Sequence, residues 1–213
     1  MTLDETRVVL LRHAETSDPD RFHGAESDVG LGARGFRQAE AVARILSALS
    51  PAVVVSSAMR RALETARPIA EACGVPLRIE PDLHERKMGP LSGTARAEGR
   101  EAYELAKGRW VAGDLDHTHE GGESFAAIRE RVVPVFNRVA REWAGTTVVV
   151  VAHGVVIRVV LSTLLEDKRP ADFGGIAIAN VALNDLRFDG ARWTAVSLNQ
   201  SVVRLEGEDS YEW

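Results

Sequence analysis

Three runs of apolar, largely β-branched residues stand out along the chain: Val8-Val9-Leu10-Leu11, Val53-Val54-Val55 and Thr147-Val148-Val149-Val150-Val151. Each is continuous rather than alternating, which predicts strands buried on both faces, as in a parallel sheet. A weaker strand is expected at Leu77–Ile79. Between the runs the apolar spacing changes to three and four. Gly35–Leu49 lines up Ala39, Val42, Ala43, Leu46 and Leu49. Ala62–Cys73 stops at Gly74 with Pro76 beyond, and Pro68 inside it predicts a kink or a restart. Glu123–Trp143 carries Phe125, Ile128, Val132, Val135, Phe136 and Val139 on one face, and a last helix is expected from Gly154 to about Leu165. Asn180–Leu198 reads as two strands hinged at Asp189-Gly190. The alternation predicts an α/β three-layer sandwich, a mostly parallel sheet flanked by helices. With no repeat, linker or low-complexity stretch, one domain over 1–213 is expected.

Composition narrows the function. The chain has 213 residues, 45% hydrophobic and 27% charged, with a formal net charge of −5. That charge argues against a nucleic-acid partner, which needs a basic stripe. Met1–Thr6 is polar and acidic, unlike a signal peptide, and no apolar stretch approaches the ~20 residues that span a membrane. A lone cysteine, Cys73, leaves no internal disulfide and fits a cytoplasmic setting.

The chemistry gathers after the strands. Arg12-His13 follows the first run, Ser56 to Arg61 the second, and His153-Gly154 the third, just before a helix. In open α/β sheets the carboxyl ends of the strands form the ligand crevice. Two histidines, at least two arginines and the positive end of a helix on one edge predict a phosphate site. Any one of these alone reads as structural: Arg60-Arg61 as a solvated helix start, Ser56-Ser57 as its cap. His117 and His119, with Asp114, Asp116 and Glu120, could suit a metal, but the loop-like setting has no rigid element to hold one, so none is expected.

These residues resemble the histidine phosphatase (phosphoglycerate mutase-like) superfamily. Leu11-Arg12-His13-Ala14-Glu15-Thr16 is similar to its Arg-His-Gly-Glu-Thr signature. Gly35-Phe36-Arg37-Gln38-Ala39 is similar to its Gly-x-x-Gln-Ala helix start, and Ser56 to Ala66 to its Ser-Ser-x-x-x-Arg-Ala-x-x-Thr-Ala segment. Leu83-His84-Glu85, Gly121-Gly122-Glu123-Ser124 and Val151-Ala152-His153-Gly154 follow in order. The resemblance implies that His13 forms a phosphohistidine and that Arg12, Arg60, His153 and Gly154 hold the phosphoryl group. It implies Glu85 as general acid and then base; from position alone Glu85 reads as a surface acid beside Arg86 and Lys87. No metal or other cofactor is implied.

Two departures bear on the site. Ala14 replaces the usual glycine, and Asp18-Pro19-Asp20 occupies a region where an asparagine often contacts phosphate. An aspartate about 4 Å from a phosphate charge would be repelled by roughly 1–4 kcal/mol. Asp18 and Asp20 are therefore expected to turn away from the phosphate or to meet a cationic part of the substrate, with Arg21 and His23 favoured as substrate contacts there. A small helical cap around 86–120, with Tyr103, Trp110, Arg109 and His117 as candidates, is expected to set specificity; for Trp110 packing is the favoured role. The cap is short and mixed in charge, which favours a phosphatase of a small phosphorylated metabolite. The alternatives are a 2,3-bisphosphoglycerate-dependent phosphoglycerate mutase and a non-catalytic phosphate-binding domain. The C-terminal strands could supply a homodimer edge.

Overall fold

Alternate residues of the valine runs face opposite ways, and each face finds helices to bury it. A computed structural model describes residues 5–205, so the ends of the expected 1–213 domain lie outside the described residues. The strands are β1 (Thr6–Arg12), β2 (Val53–Ser56), β3 (Leu77–Ile79), β4 (Thr147–Ala152), β5 (Leu183–Phe188) and β6 (Trp193–Gln200). Their order is β3-β2-β4-β1-β5-β6. The first four are parallel, and β5 and β6 add an antiparallel end. The expected hairpin turns at Gly190, whose φ of 97° suits glycine.

Helices α1 (Ala33–Ser47) and α2 (Arg60–Cys73) bury Val9, Leu11, Val54, Val149 and Val151 on one side. On the other, α4 (Phe125–Glu142) and α5 (Gly154–Leu164) bury Val8, Leu10, Val53, Val55, Val148 and Val150. The result is the expected three-layer sandwich. Full burial of one such side chain is worth roughly 1.5–3 kcal/mol, which explains why continuous apolar runs are needed. The restart expected at Pro68 does not occur: α2 continues through it, held by the buried face of Ala62, Thr65, Ala66, Ile69 and Ala70. Gly74 ends α2 in the left-handed conformation, as anticipated.

Within the segment expected to form a cap lies one long helix, α3 (Arg96–Val111). Trp110 anchors it, packing edge-on to Phe125 at 6.0 Å and Phe173 at 5.2 Å, while its Nε1 donates to the His117 carbonyl at 2.8 Å. Packing is thus what Trp110 does.

The Gly-x-x-Gln-Ala stretch has a physical reason. The chain leaving His13 docks on the start of α1, where Gln38 Oε1 accepts the Glu15 N–H at 2.9 Å. A Cβ on Gly35 would lie 2.0 Å from the Glu15 carbonyl oxygen. Gly35→Ala is therefore expected to lower stability by about 1–3 kcal/mol or more. Chemical denaturation reads this as a lower midpoint, and an unchanged midpoint would refute the close approach.

Candidate active site

β1 and β4 pair with Arg12 opposite Ala152, and the His13 N–H continues the ladder to the Ala152 carbonyl at 3.0 Å. A histidine follows each strand, so this register brings His13 and His153 together, ring centroids 5.3 Å apart. Both are buried. His13 Nδ1 donates to the Ala14 carbonyl at 2.7 Å. A carbonyl only accepts, so Nδ1 holds the proton and the neutral ring keeps a bare lone pair on Nε2. Burial, then the charges of Arg61 and Arg12, push the His13 pKa well below its ordinary value, against the Ala14 bond. Burial, Arg61, His13 and Arg12 push His153 the same way.

Arg61, rather than Arg60, is the arginine that the structure brings to the histidine pair. Arg61 is 1% exposed, and its guanidinium donates to the Ser27, His23 and Gly24 carbonyls at 3.1, 3.2 and 3.4 Å. Burial lowers its pKa to about 10, with Glu85 opposing. Arg60 points outward and pairs with Glu64 at 2.8 Å, its side chain 59% exposed. One helical position separates them, and the first turn of α2 rotates that step from pocket to solvent. The signal was in the spacing: counted from Ser56-Ser57, the Ser-Ser-x-x-x-Arg-Ala pattern places Arg-Ala at 61–62.

Ser57 departs from its expected role too. Met59 occupies the N-cap of α2 without a side-chain bond, while Ser57 Oγ lies 2.8 Å from His153 Nε2 and orients that ring. Arg12 Nη1 donates to the Ile178 carbonyl at 3.3 Å, and its guanidinium backs onto Gly154, the first residue of α5. Arg12 Nε, Arg61 Nε and His153 Nδ1 are buried with no hydrogen-bond partner. Unsatisfied buried groups cost about 1–3 kcal/mol each, and an anion here would relieve the two guanidinium donors.

Glu85 joins this group as a buried carboxyl side chain. Its Oε1 accepts the Arg86 N–H at 2.8 Å and its Oε2 accepts the Val155 N–H, in the first turn of α5, at 3.2 Å. Beyond it, Arg96 and Arg158 lie close enough to depress the Arg12 pKa, although burial is the larger cause. Neither has a carboxylate partner among the described residues. Tyr103 of α3 stacks on Phe22 at 5.2 Å.

Of the expected substrate contacts, only His23 sits beside the histidine pair. Its Nε2 donates to the Asp18 carbonyl at 2.6 Å, and burial, then Arg61, lower its pKa against that bond. Arg21 instead pairs with Asp18 at 2.9 Å on the surface and donates to the Gly93 carbonyl, so Asp18 is neutralised by its own loop. Arg109 is committed to Asp114 at 2.6 Å, more than half exposed. His117 enters through its carbonyl, which accepts from Trp110. Arg109 lies on the exposed side of α3 because Trp110 turns the inner face of the helix toward Phe125 and Phe173, whereas His117 is half-buried in the stretch after α3. His119 donates to the Met88 carbonyl at 2.8 Å and accepts from Arg86 at 3.3 Å; no group of three or more metal-capable side chains gathers among the described residues. Ala14 is fully buried against the α1 and α2 layer, and its backbone avoids positive φ, so a methyl fits where glycine is usual.

The chain belongs to the histidine phosphatase superfamily (branch 1), whose model matches residues 8–201. It is 34% identical over 207 residues to the metal-independent phosphoserine phosphatase of Arabidopsis thaliana, covering 94% of this chain and 86% of that one. It is also 34% identical over 200 residues to phosphoglycerate mutase-like protein 4 of the same plant, covering 90% and 84%. Among solved structures, mycobacterial glucosyl-3-phosphoglycerate phosphatase superposes with a TM-score of 0.80 at 28% identity, covering 92% of this chain and 100% of that one.

The histidine pKa shifts carry a sign. His13 and His153 titrate lower folded than unfolded, so below about pH 6.5 the unfolded chain binds more protons. Their contribution is complete above that pH and shrinks on acidification, by about 1.4 kcal/mol per pH unit for each histidine. In phosphate-free buffer the stability of the wild type is expected to fall more steeply from pH 6.5 to 5 than that of His153→Asn. Parallel slopes would contradict the burial of a neutral ring.

Proposed function

We propose that this chain hydrolyses small phosphomonoesters through a phosphohistidine at His13 Nε2. The observation that carries this reading is the bare Nε2 lone pair, fixed by the Nδ1–Ala14 bond, among Arg12, Arg61 and His153. The Nε2 lone pair attacks phosphorus as the P–O ester bond breaks. Glu85 enters this step protonated and gives that proton to the departing alkoxide, which leaves as the alcohol. Water then loses a proton to Glu85 as it attacks the phosphohistidine, and phosphate departs with His13 neutral again. Splitting the displacement replaces one hard step with two easier ones. Fixed guanidiniums meet the charge on the phosphoryl oxygens without reorganising.

Arg96 and Arg158 extend the cationic surface past the phosphate, which suits a substrate with a second anionic group. Phosphoserine and glucosyl-3-phosphoglycerate, named for two of the relatives, both place a carboxylate near the phosphate. The 86–120 segment then acts as a cap on a single domain.

Four measurements test this. Acid-labile phosphate should appear on the wild type and vanish in His13→Ala, together with turnover; surviving turnover would sink the nucleophile. Arg61→Ala should lose about 10²–10³-fold in kcat, while Arg60→Ala stays within about twofold; the reverse order would restore Arg60. Phosphoserine and 3-phosphoglycerate should exceed phosphoethanolamine and glycerol 3-phosphate in kcat/KM by about tenfold, one such contact being worth about 1.4 kcal/mol. Arg96→Ala should erase the preference. Conversion of 3- to 2-phosphoglycerate dependent on 2,3-bisphosphoglycerate, outpacing phosphate release, would make the chain a mutase instead.

A further inference from the structure

The segment that follows the short turn Pro170–Gly175 runs behind the nucleophile. β5 begins at Leu183, opposite Leu11, so β1 loses its antiparallel neighbour just before Arg12. The strap 176–182 takes over that edge. The Val181 N–H donates to the Arg12 carbonyl at 3.0 Å, and Asn180 Nδ2 donates to the His13 carbonyl at 2.8 Å. On the opposite side the Ala14 N–H donates to Thr65 Oγ1 of α2 at 3.0 Å. The His13 carbonyl and the Ala14 N–H are the two ends of one planar peptide group.

We propose that Asn180, with Thr65, is a positioning residue that clamps the His13–Ala14 peptide and thereby aims His13 Nε2. The proposal rests on His13 as the attacking base. The acceptor for the ring proton is the very next carbonyl, that of Ala14. Rotation of the clamped peptide would carry that carbonyl away from Nδ1 and swing the lone pair off its line.

The strap is itself over-determined. Arg12 and Arg158 hold the Ile178 and Ile176 carbonyls at 3.3 and 2.8 Å. The Ala179 N–H donates to Asn199 Oδ1 at 2.7 Å, the Asn199 N–H to Asn184 Oδ1 at 3.0 Å, and Asn184 Nδ2 to the Leu10 carbonyl at 3.0 Å. Val181 and Asn199 hold left-handed backbone, with φ of 51° and 50°. For a β-branched valine that is a rare conformation, of the kind that persists where surroundings enforce it and that clusters at functional sites.

The test is rapid-quench phosphorylation of His13 by p-nitrophenyl phosphate in Asn180→Ala, Thr65→Val and Thr65→Ser. A misplacement on the order of 1 Å can cost about 10²-fold. Phosphorylation in Asn180→Ala and Thr65→Val should therefore slow roughly 10- to 100-fold. Phosphate affinity should change little, and Thr65→Ser, which keeps the acceptor, should run near the wild-type rate. A folded Asn180→Ala that phosphorylates at the wild-type rate overturns the proposal. If that variant does not fold, a Thr65→Val rate equal to wild type does so, as does a Thr65→Ser as slow as Thr65→Val. Absence of phosphohistidine in the wild type is a separate result and would overturn the nucleophile itself.

Discussion

The site depends on one register. Arg12 lies opposite Ala152 in the parallel ladder between β1 and β4, and everything at the sheet edge follows from it. A slip of one residue would send every side chain of β1 to the other face, burying the wrong set of apolar positions. Because Val8 and Leu10 must meet α4 and α5 while Val9 and Leu11 meet α1 and α2, the core forbids the slip. The same packing that stabilises the sheet therefore fixes the distance between His13 and His153. Catalytic geometry is inherited from the hydrophobic core.

What the core delivers is unfavourable by itself. Arg12 and Arg61 are taken out of water next to two imidazoles, and like charges close together are costly in a low dielectric. The structure settles the conflict in two ways. The histidines give up their protons, which makes His13 a base. The arginines find backbone carbonyls at Ser27, His23, Gly24 and Ile178 in place of carboxylates. A carbonyl dipole holds a guanidinium in place without cancelling its charge, so the attraction for an anion is preserved. Glu85 is an acid drawn in among them, and its oxygens are engaged by two N–H groups, which fix the carboxyl group in place.

How far this was legible in the sequence follows from the range of each interaction. The valine runs announced the sheet because burial on both faces leaves no polar position in them, and the strand-end histidines announced the site because parallel strands share one edge. Arg61 was harder. In an Arg-Arg pair at a helix start, composition is blind to which side chain turns inward, and only counting from Ser56-Ser57 separates them. Ser57 read as a cap because its partner, His153, lies 96 positions away. Asn180 carried no local signal: its contact with His13 spans 167 positions, and it exists only once the strap has closed the sheet edge. Arg109 was misplaced for a related reason, since the packing of Trp110 decides which face of α3 looks inward.

This division also explains where substrate choice can vary. The phosphate end is locked by the ladder, by the strap and by α5, so a change there disturbs the core. The far end is held more loosely. Arg96 rests on the Pro19 carbonyl at 2.9 Å and lies over Phe22, whose ring stacks on Tyr103; these contacts belong to the loop after β1 and to α3 rather than to the sheet. A substitution in Arg96 or Tyr103 alters the surface beyond the phosphate without touching the register of β1 and β4. On the proposed reading the fold keeps phosphoryl chemistry and specificity on separate supports, and the second can change while the first stays fixed.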